Sequence, residues 1–144
     1  MEENISRDCI QLNCRAADWK EAIRIAAQPL VETNRISAAY VEQMIENVCT
    51  LGPYIVIMPK FALAHAAPSE SVRESSMSLA IFSEPVFFNC DNDPVYVVMC
   101  LACVDRESHL GRLGRMAEKL MDGTFVEDML SCDDAERLYE LINS

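Results

Sequence analysis

Ten consecutive residues, Val95–Val104, are apolar at both alternating positions. Successive side chains of a strand point to opposite faces, so a run with no polar phase needs cover on both sides. This is the pattern of a central strand packed between helices, and it sets the architecture the rest of the chain has to supply. The helices are there. Asp18, with Glu21 three residues on, forms an Asp variant of the capping box. Behind it Ile23, Ala26, Ala27, Leu30 and Val31 recur at helical spacing, and Pro29 is expected to bend or end that helix. Ser37 opens a second helix whose apolar face is Val41, Met44, Ile45, Val48 and Leu51, stopped by Gly52-Pro53.

Ile10–Cys14 is expected to be a short strand or extended segment. Other strands are expected at Tyr54–Met58 between two prolines and at Ser76–Phe82 before Glu84-Pro85, with Val86–Phe88 as a short edge strand or extended loop. Asn89–Pro94 is rich in turn formers. After the long run, Ser108 is placed to cap a helix with Leu110, Leu113, Ala117 and Leu120 as its buried stripe. Two shorter helices follow near Thr124–Leu130 and Asp134–Ile142, with Asp133 as cap. No repeat or linker interrupts the 144 residues, a length suited to one domain with its own core. The expectation is one α/β domain spanning residues 1–144, its sheet flanked by helices on both faces.

A net charge of −11 argues against nucleic acid or an anionic membrane surface as the main partner. No apolar run is long enough to span a membrane, and the start Met1-Glu2-Glu3-Asn4 is unlike a signal peptide, so a cytoplasmic address is expected. Seven cysteines, an odd number, do not suggest a disulfide framework. Cys100 and Cys103 lie within the apolar run. Residues three apart on a strand face opposite ways, so these two sulfurs are expected neither to bridge nor to chelate a metal. No metal or cofactor is expected.

The chain has two histidines. Either alone is more often a surface or core residue than a reactive one; together they carry more weight. His65 lies in Phe61-Ala62-Leu63-Ala64-His65-Ala66-Ala67-Pro68, with small residues on both sides of the ring. His109 lies where the apolar run hands over to a helix. Imidazole, with an unperturbed pKa of about 6.5, is available as a neutral nucleophile near pH 7. Alanine neighbours leave room for a bulky electrophile such as a phosphoryl donor. The carboxyl end of a strand followed by a helix N-terminus is where open α/β sheets bind ligands, and the free N–H groups there favour phosphate. A phosphoryl group fits between His65 and His109 if both lie over one sheet edge, with the Ser108 hydroxyl beside it. Lys60 is the nearest cation in sequence to His65 and is either a phosphate contact or a solvated loop lysine. Arg112, Arg115 and Lys119 are either a second source of positive charge near His109 or a helix face that complements the dipole.

Several blocks resemble the enzyme IIA component of the sugar phosphotransferase system, of the mannitol/fructose type and, within it, the ascorbate/galactitol-like members. They are Gly52-Pro53-Tyr54-Ile55-Val56-Ile57, Ala62-Leu63-x-His65-Ala66-x-Pro68, Asn92-Asp93-Pro94-Val95, and Cys100-Leu101-Ala102-x-Val104-Asp105-x-x-Ser108-His109-Leu110. The resemblance runs from about Val31 to the C-terminus. It implies a mixed sheet flanked by helices and a phosphohistidine intermediate. His65 would accept a phosphoryl group from the phosphocarrier protein HPr and pass it to a IIB component, which feeds a membrane IIC transporter. His109 would hydrogen-bond that phosphoryl group.

The sequence departs from the family pattern around the acceptor. Pro-Gly before the loop reads Pro59-Lys60, the proline before the histidine is Ala64, and Ala-Arg-Pro-Glu after it reads Ala66-Ala67-Pro68-Ser69. A regulatory phosphohistidine switch and a non-catalytic binding domain of the same fold are the alternatives to phosphoryl transfer.

Overall fold

The computed structural model describes residues 3–105, 107 and 110–144, with backbone alone at Leu110, Arg112 and Leu113. After a 3₁₀ turn at Arg7–Cys9 come β1 (Ile10–Cys14), α1 (Trp19–Glu32), α2 (Ala38–Leu51), β2 (Lys60–Ala64), β3 (Ser76–Val86), β4 (Val95–Ala102), α3 (Leu110–Met121), α4 (Phe125–Ser131) and α5 (Ala135–Asn143). The four strands form one sheet in the order β1-β3-β4-β2. β1 runs parallel to β3, β2 parallel to β4, and β3 antiparallel to β4, so the sheet is mixed and the fold is α/β as expected.

β4 is the central strand its composition requires. Val97 to Ala102 are buried on both phases. One face meets α1 and α2: the Ser78 hydroxyl of β3 donates to the Ala26 carbonyl at 2.6 Å, and its register partner Cys100 lies 3.9 Å, sulfur to sulfur, from Met44. α4 contacts β4, and α5 contacts β1. At up to about 25 cal/mol per Å² of apolar surface removed from water, this two-sided burial is the main stabilising term. Cys100 sits within the strand and Cys103 just past its end.

The capping box forms. Asp18 Oδ1 accepts from the Glu21 N–H at 2.9 Å, while the Glu21 carboxylate reaches back to the Ala17 N–H at 3.1 Å. Pro29 does not end α1, which continues to Glu32. A proline provides no N–H for the carbonyl four residues back, here Ile25. The Gln11 amide from β1 takes that role, Nε2 donating to Ile25 O at 2.7 Å.

The strand expected at Tyr54–Met58 is instead a turn. The N–H groups of Tyr54 and Val56 close back onto the carbonyls of Gly52 and Pro53, and Met58 makes only an isolated bridge to Phe61. The strand beside β4 comes later, at Lys60–Ala64, because its backbone pairs in register from Lys60↔Val95 to Ala64↔Cys100. β3 extends through Glu84-Pro85 to Val86, tolerating the proline where the register with β4 is interrupted between Ile81 and Val86. Of the stripe expected in α3, Leu120 is partly buried and Ala117 exposed, while the side chains of Leu110 and Leu113 lie outside those described. Among the described side chains of the helix Met116 is buried. Asp134, not Asp133, caps α5, accepting from the Arg137 N–H at 2.8 Å. Arg115 and Lys119 tie α3 to the chain ends: Arg115 Nε donates to Asn4 Oδ1 at 2.8 Å, and Lys119 Nζ to the Ser144 carbonyl at 2.9 Å.

Candidate active site

Parallel pairing fixes where His65 falls. Ala64, the last residue of β2, lies opposite Cys100, and β4 ends two residues later at Ala102. His65 therefore leaves the sheet at the edge where β4 delivers the chain toward α3, which starts at Leu110. β3 begins at this same edge, Ser76 opposite Ala102, and the Val104 N–H donates to the Ser75 hydroxyl at 2.9 Å. A carboxyl edge shared by parallel strands is where an anion site belongs in such sheets.

The ring of His65 is half-buried, and its Nδ1 lies 2.8 Å from the Leu63 carbonyl oxygen. A carbonyl only accepts, so Nδ1 carries the proton, and in the neutral ring Nε2 keeps its lone pair. That is the tautomer a nucleophile at Nε2 needs. Tyr54 packs against the imidazole nearly perpendicular to it, centroids 5.4 Å apart at 85°, and its hydroxyl donates to the His65 carbonyl at 3.2 Å. The buried Tyr40 hydroxyl accepts from the Ala66 N–H at 3.0 Å and lies 3.0 Å from the Ala66 carbonyl and 3.1 Å from that of Leu101. Desolvation holds the Tyr40 phenol well above its ordinary pKa, so it stays protonated and able to donate.

Neither tyrosine was singled out by sequence reasoning. The signal for Tyr40 was its place one and two helical repeats before Met44 and Val48, on the buried face of α2. For Tyr54 it was the Gly52-Pro53 break, which puts an aromatic ring on a turn rather than in a strand.

Lys60 is not brought to the ring. It opens β2 with a positive φ of 71°, five residues from His65, or about 16 Å along a strand at ~3.3 Å per residue. Its ammonium pairs with Glu127 of α4 at 2.7 Å. Ser108 and His109 lie outside the described residues. Ala64 is fully buried and Ala67 exposed. Among the described residues no group of three or more His, Cys, Asp or Glu side chains is arranged to hold a metal ion. Asp93 instead builds the turn before β4: its carboxylate accepts from the N–H groups of Phe88, Asn89 and Cys90 at 2.9, 2.7 and 3.1 Å. The Asn92 amide of the same turn donates to the Val56 carbonyl at 3.2 Å, which ties down the segment leading into β2.

Comparison with known proteins agrees with this fold. The chain is 31% identical over 135 residues to the ascorbate-specific PTS system EIIA component of Mycoplasma pneumoniae, covering 93% of this chain and 85% of the relative. The solution structure of the mannitol-specific cryptic phosphotransferase enzyme IIA CmtB from Escherichia coli superposes with a TM-score of 0.88 at 27% identity, over 96% of this chain and 95% of that one. The complex of enzyme IIAMtl with phosphorylated IIBMtl from Escherichia coli matches at TM-score 0.81 and 21% identity, over 96% of each chain, a likeness of fold. The family profile for "Phosphoenolpyruvate-dependent sugar phosphotransferase system, EIIA 2" matches residues 3–144. The chain belongs to that family, and it is a phosphotransferase with the role of a phosphoryl carrier.

Proposed function

We propose that the chain works as one cytoplasmic domain that accepts a phosphoryl group on Nε2 of His65 from HPr and passes it to the IIB component of a sugar permease, whose IIC partner spans the membrane. The observation that carries this reading is the Leu63 carbonyl on Nδ1, which leaves the lone pair on Nε2. In the forward step that lone pair forms the N–P bond while the bond from phosphorus to the donor breaks and the donor keeps its electron pair. The step needs positioning and charge stabilisation more than further covalent help. His109 stabilises the phosphoryl oxygens, with Ser108 as a further contact; both follow β4, which ends at the edge His65 occupies. A IIB partner is in keeping with the complex known for this fold. Free thiols at all seven cysteines fit a reducing compartment, and no helix among the described residues is long and apolar enough to cross a membrane.

The test is incubation with HPr, its upstream kinase and labelled phosphoenolpyruvate. The protein should take up one equivalent of acid-labile, base-stable label and lose it on addition of a cognate IIB. His65→Ala should take up none. Stoichiometric labelling of the His65→Ala protein would refute the assignment.

A further inference from the structure

We propose that Tyr40 and Tyr54 are positioning residues for the phosphoryl acceptor, two phenols that hold the backbone of His65 and Ala66 in place so that Nε2 is presented at a fixed point. This rests on His65 being the acceptor. Strand pairing stops at Ala64, so the next peptide groups lose the ladder that held β2. A backbone polar group in a half-buried segment needs another partner. Here tyrosine hydroxyls supply it. Tyr54 O–H takes the His65 carbonyl, and Tyr40 takes the Ala66 N–H.

The two phenols come from either end of one helix, Tyr40 from the first turn of α2 and Tyr54 from the turn after it. Between them they grip consecutive residues. A hydroxyl has one hydrogen, so Tyr40 shares it between the Ala66 and Leu101 carbonyls, both within 3.1 Å. That shared contact couples the acceptor loop to the end of β4, the strand leading to Ser108 and His109. Tyr54 adds a ring against the imidazole, which limits its rotation about χ2. The Leu63 contact selects the tautomer only while the ring stays where these two residues put it.

The experiment uses Tyr54→Phe and Tyr40→Phe in the full chain, with two readouts. Single-turnover phosphorylation by phosphorylated HPr should slow by about 3- to 10-fold in Tyr54→Phe and by about 10- to 100-fold in Tyr40→Phe, the range expected for a displaced reacting atom. The ¹⁵N chemical shifts of the His65 ring, measured without any donor, should show a reduced Nδ1–H tautomer population in both variants, with Tyr54→Phe keeping the wild-type melting temperature. A purely structural contact would not move the tautomer in a protein of unchanged stability. Wild-type rates and tautomer populations in folded Tyr54→Phe would overturn the proposal, even if Tyr40→Phe did not fold. If wild-type protein takes no label on His65, the functional reading fails. The ring shifts still decide whether the tyrosines set the imidazole.

Discussion

Removing the Gln11 side chain should destabilise the protein by about 1 kcal/mol, and by almost nothing once Pro29 is also replaced. Gln11 Nε2 donates to the Ile25 carbonyl at 2.7 Å, the group left without a helical partner because Pro29 has no N–H. Orphaning a buried acceptor costs about 1–3 kcal/mol. Gln11 and Ile25 are only half-buried, so water recovers part of the loss and the low end of that range applies. In a Pro29→Ala background the backbone N–H restored at that position reaches the Ile25 carbonyl and the glutamine becomes redundant. Pro29→Ala alone should stabilise by less than the ~3 kcal/mol helix-propensity difference, because Pro29 lies in the last turn and its rigidity also restricts the unfolded chain. The coupling energy between the two sites is therefore about 1 kcal/mol. Urea unfolding of the wild type, both single variants and the double variant measures it. Trp19, at the start of α1 and 5.8 Å from the Phe88 ring, gives the fluorescence signal. A loss of about 1 kcal/mol in a chain of this size lowers Tm by about 3–4 °C. An equal cost of Gln11→Ala in both backgrounds would refute the reasoning and leave Gln11 as a packing residue with no special tie to the proline.

His109→Ala should keep the fold and slow phosphorylation of His65 by about 10- to 100-fold, less than the loss of an oxyanion-hole donor in a closed site; unchanged single-turnover kinetics would remove His109 from the mechanism. Thiol labelling at about pH 8 should reach exposed Cys49 at once and Cys100 only on global unfolding, because burial pushes the Cys100 thiol up to about 12 and keeps it protonated. Since that pKa is raised, the associated stability is present below the thiol's ordinary value of 9.0 and is lost as pH climbs toward 12. Peptide mapping that finds Cys100 modified in the native protein would contradict its placement in the core.

How much of this fold could be read in the chain depended on whether hydrophobicity and backbone pairing agreed locally. They agree in β4, where every phase is apolar and nearly every residue is buried. They part company around His65. Tyr54–Met58 is the more apolar segment, and Ile55 and Val56 are indeed buried, but its backbone turns and Ile57 is exposed. Phe61, Ala62 and Ala64 make a weakly strand-like stretch, two of the three being alanine. They become a strand because β4 lies alongside and the Leu63 N–H meets the Ile55 carbonyl at 2.8 Å on the other side. Pro29 misled for a related reason: the glutamine that rescues its helix lies on a different element. At the candidate site, the small residues on either side of His65 can be read directly in the chain. The hydroxyls around it cannot, since a tyrosine at helical spacing looks like core until the loop it touches is known. Lys60 was close in sequence and distant in space because a strand runs between it and His65.

On the function proposed above, mounting the acceptor His65 directly at the end of a paired strand has a kinetic consequence. Carriers that tether their cargo to a long, mobile arm let the arm swing between stations while the body stays docked. Here the imidazole is one residue beyond the sheet, with no arm to extend. Donor and receiver must reach the same point in turn, so the whole molecule has to dissociate, diffuse and be met again for each group it delivers. Flux through such a relay is then governed by the abundance of its partners and the lifetime of each encounter, and tight binding to either one would slow it.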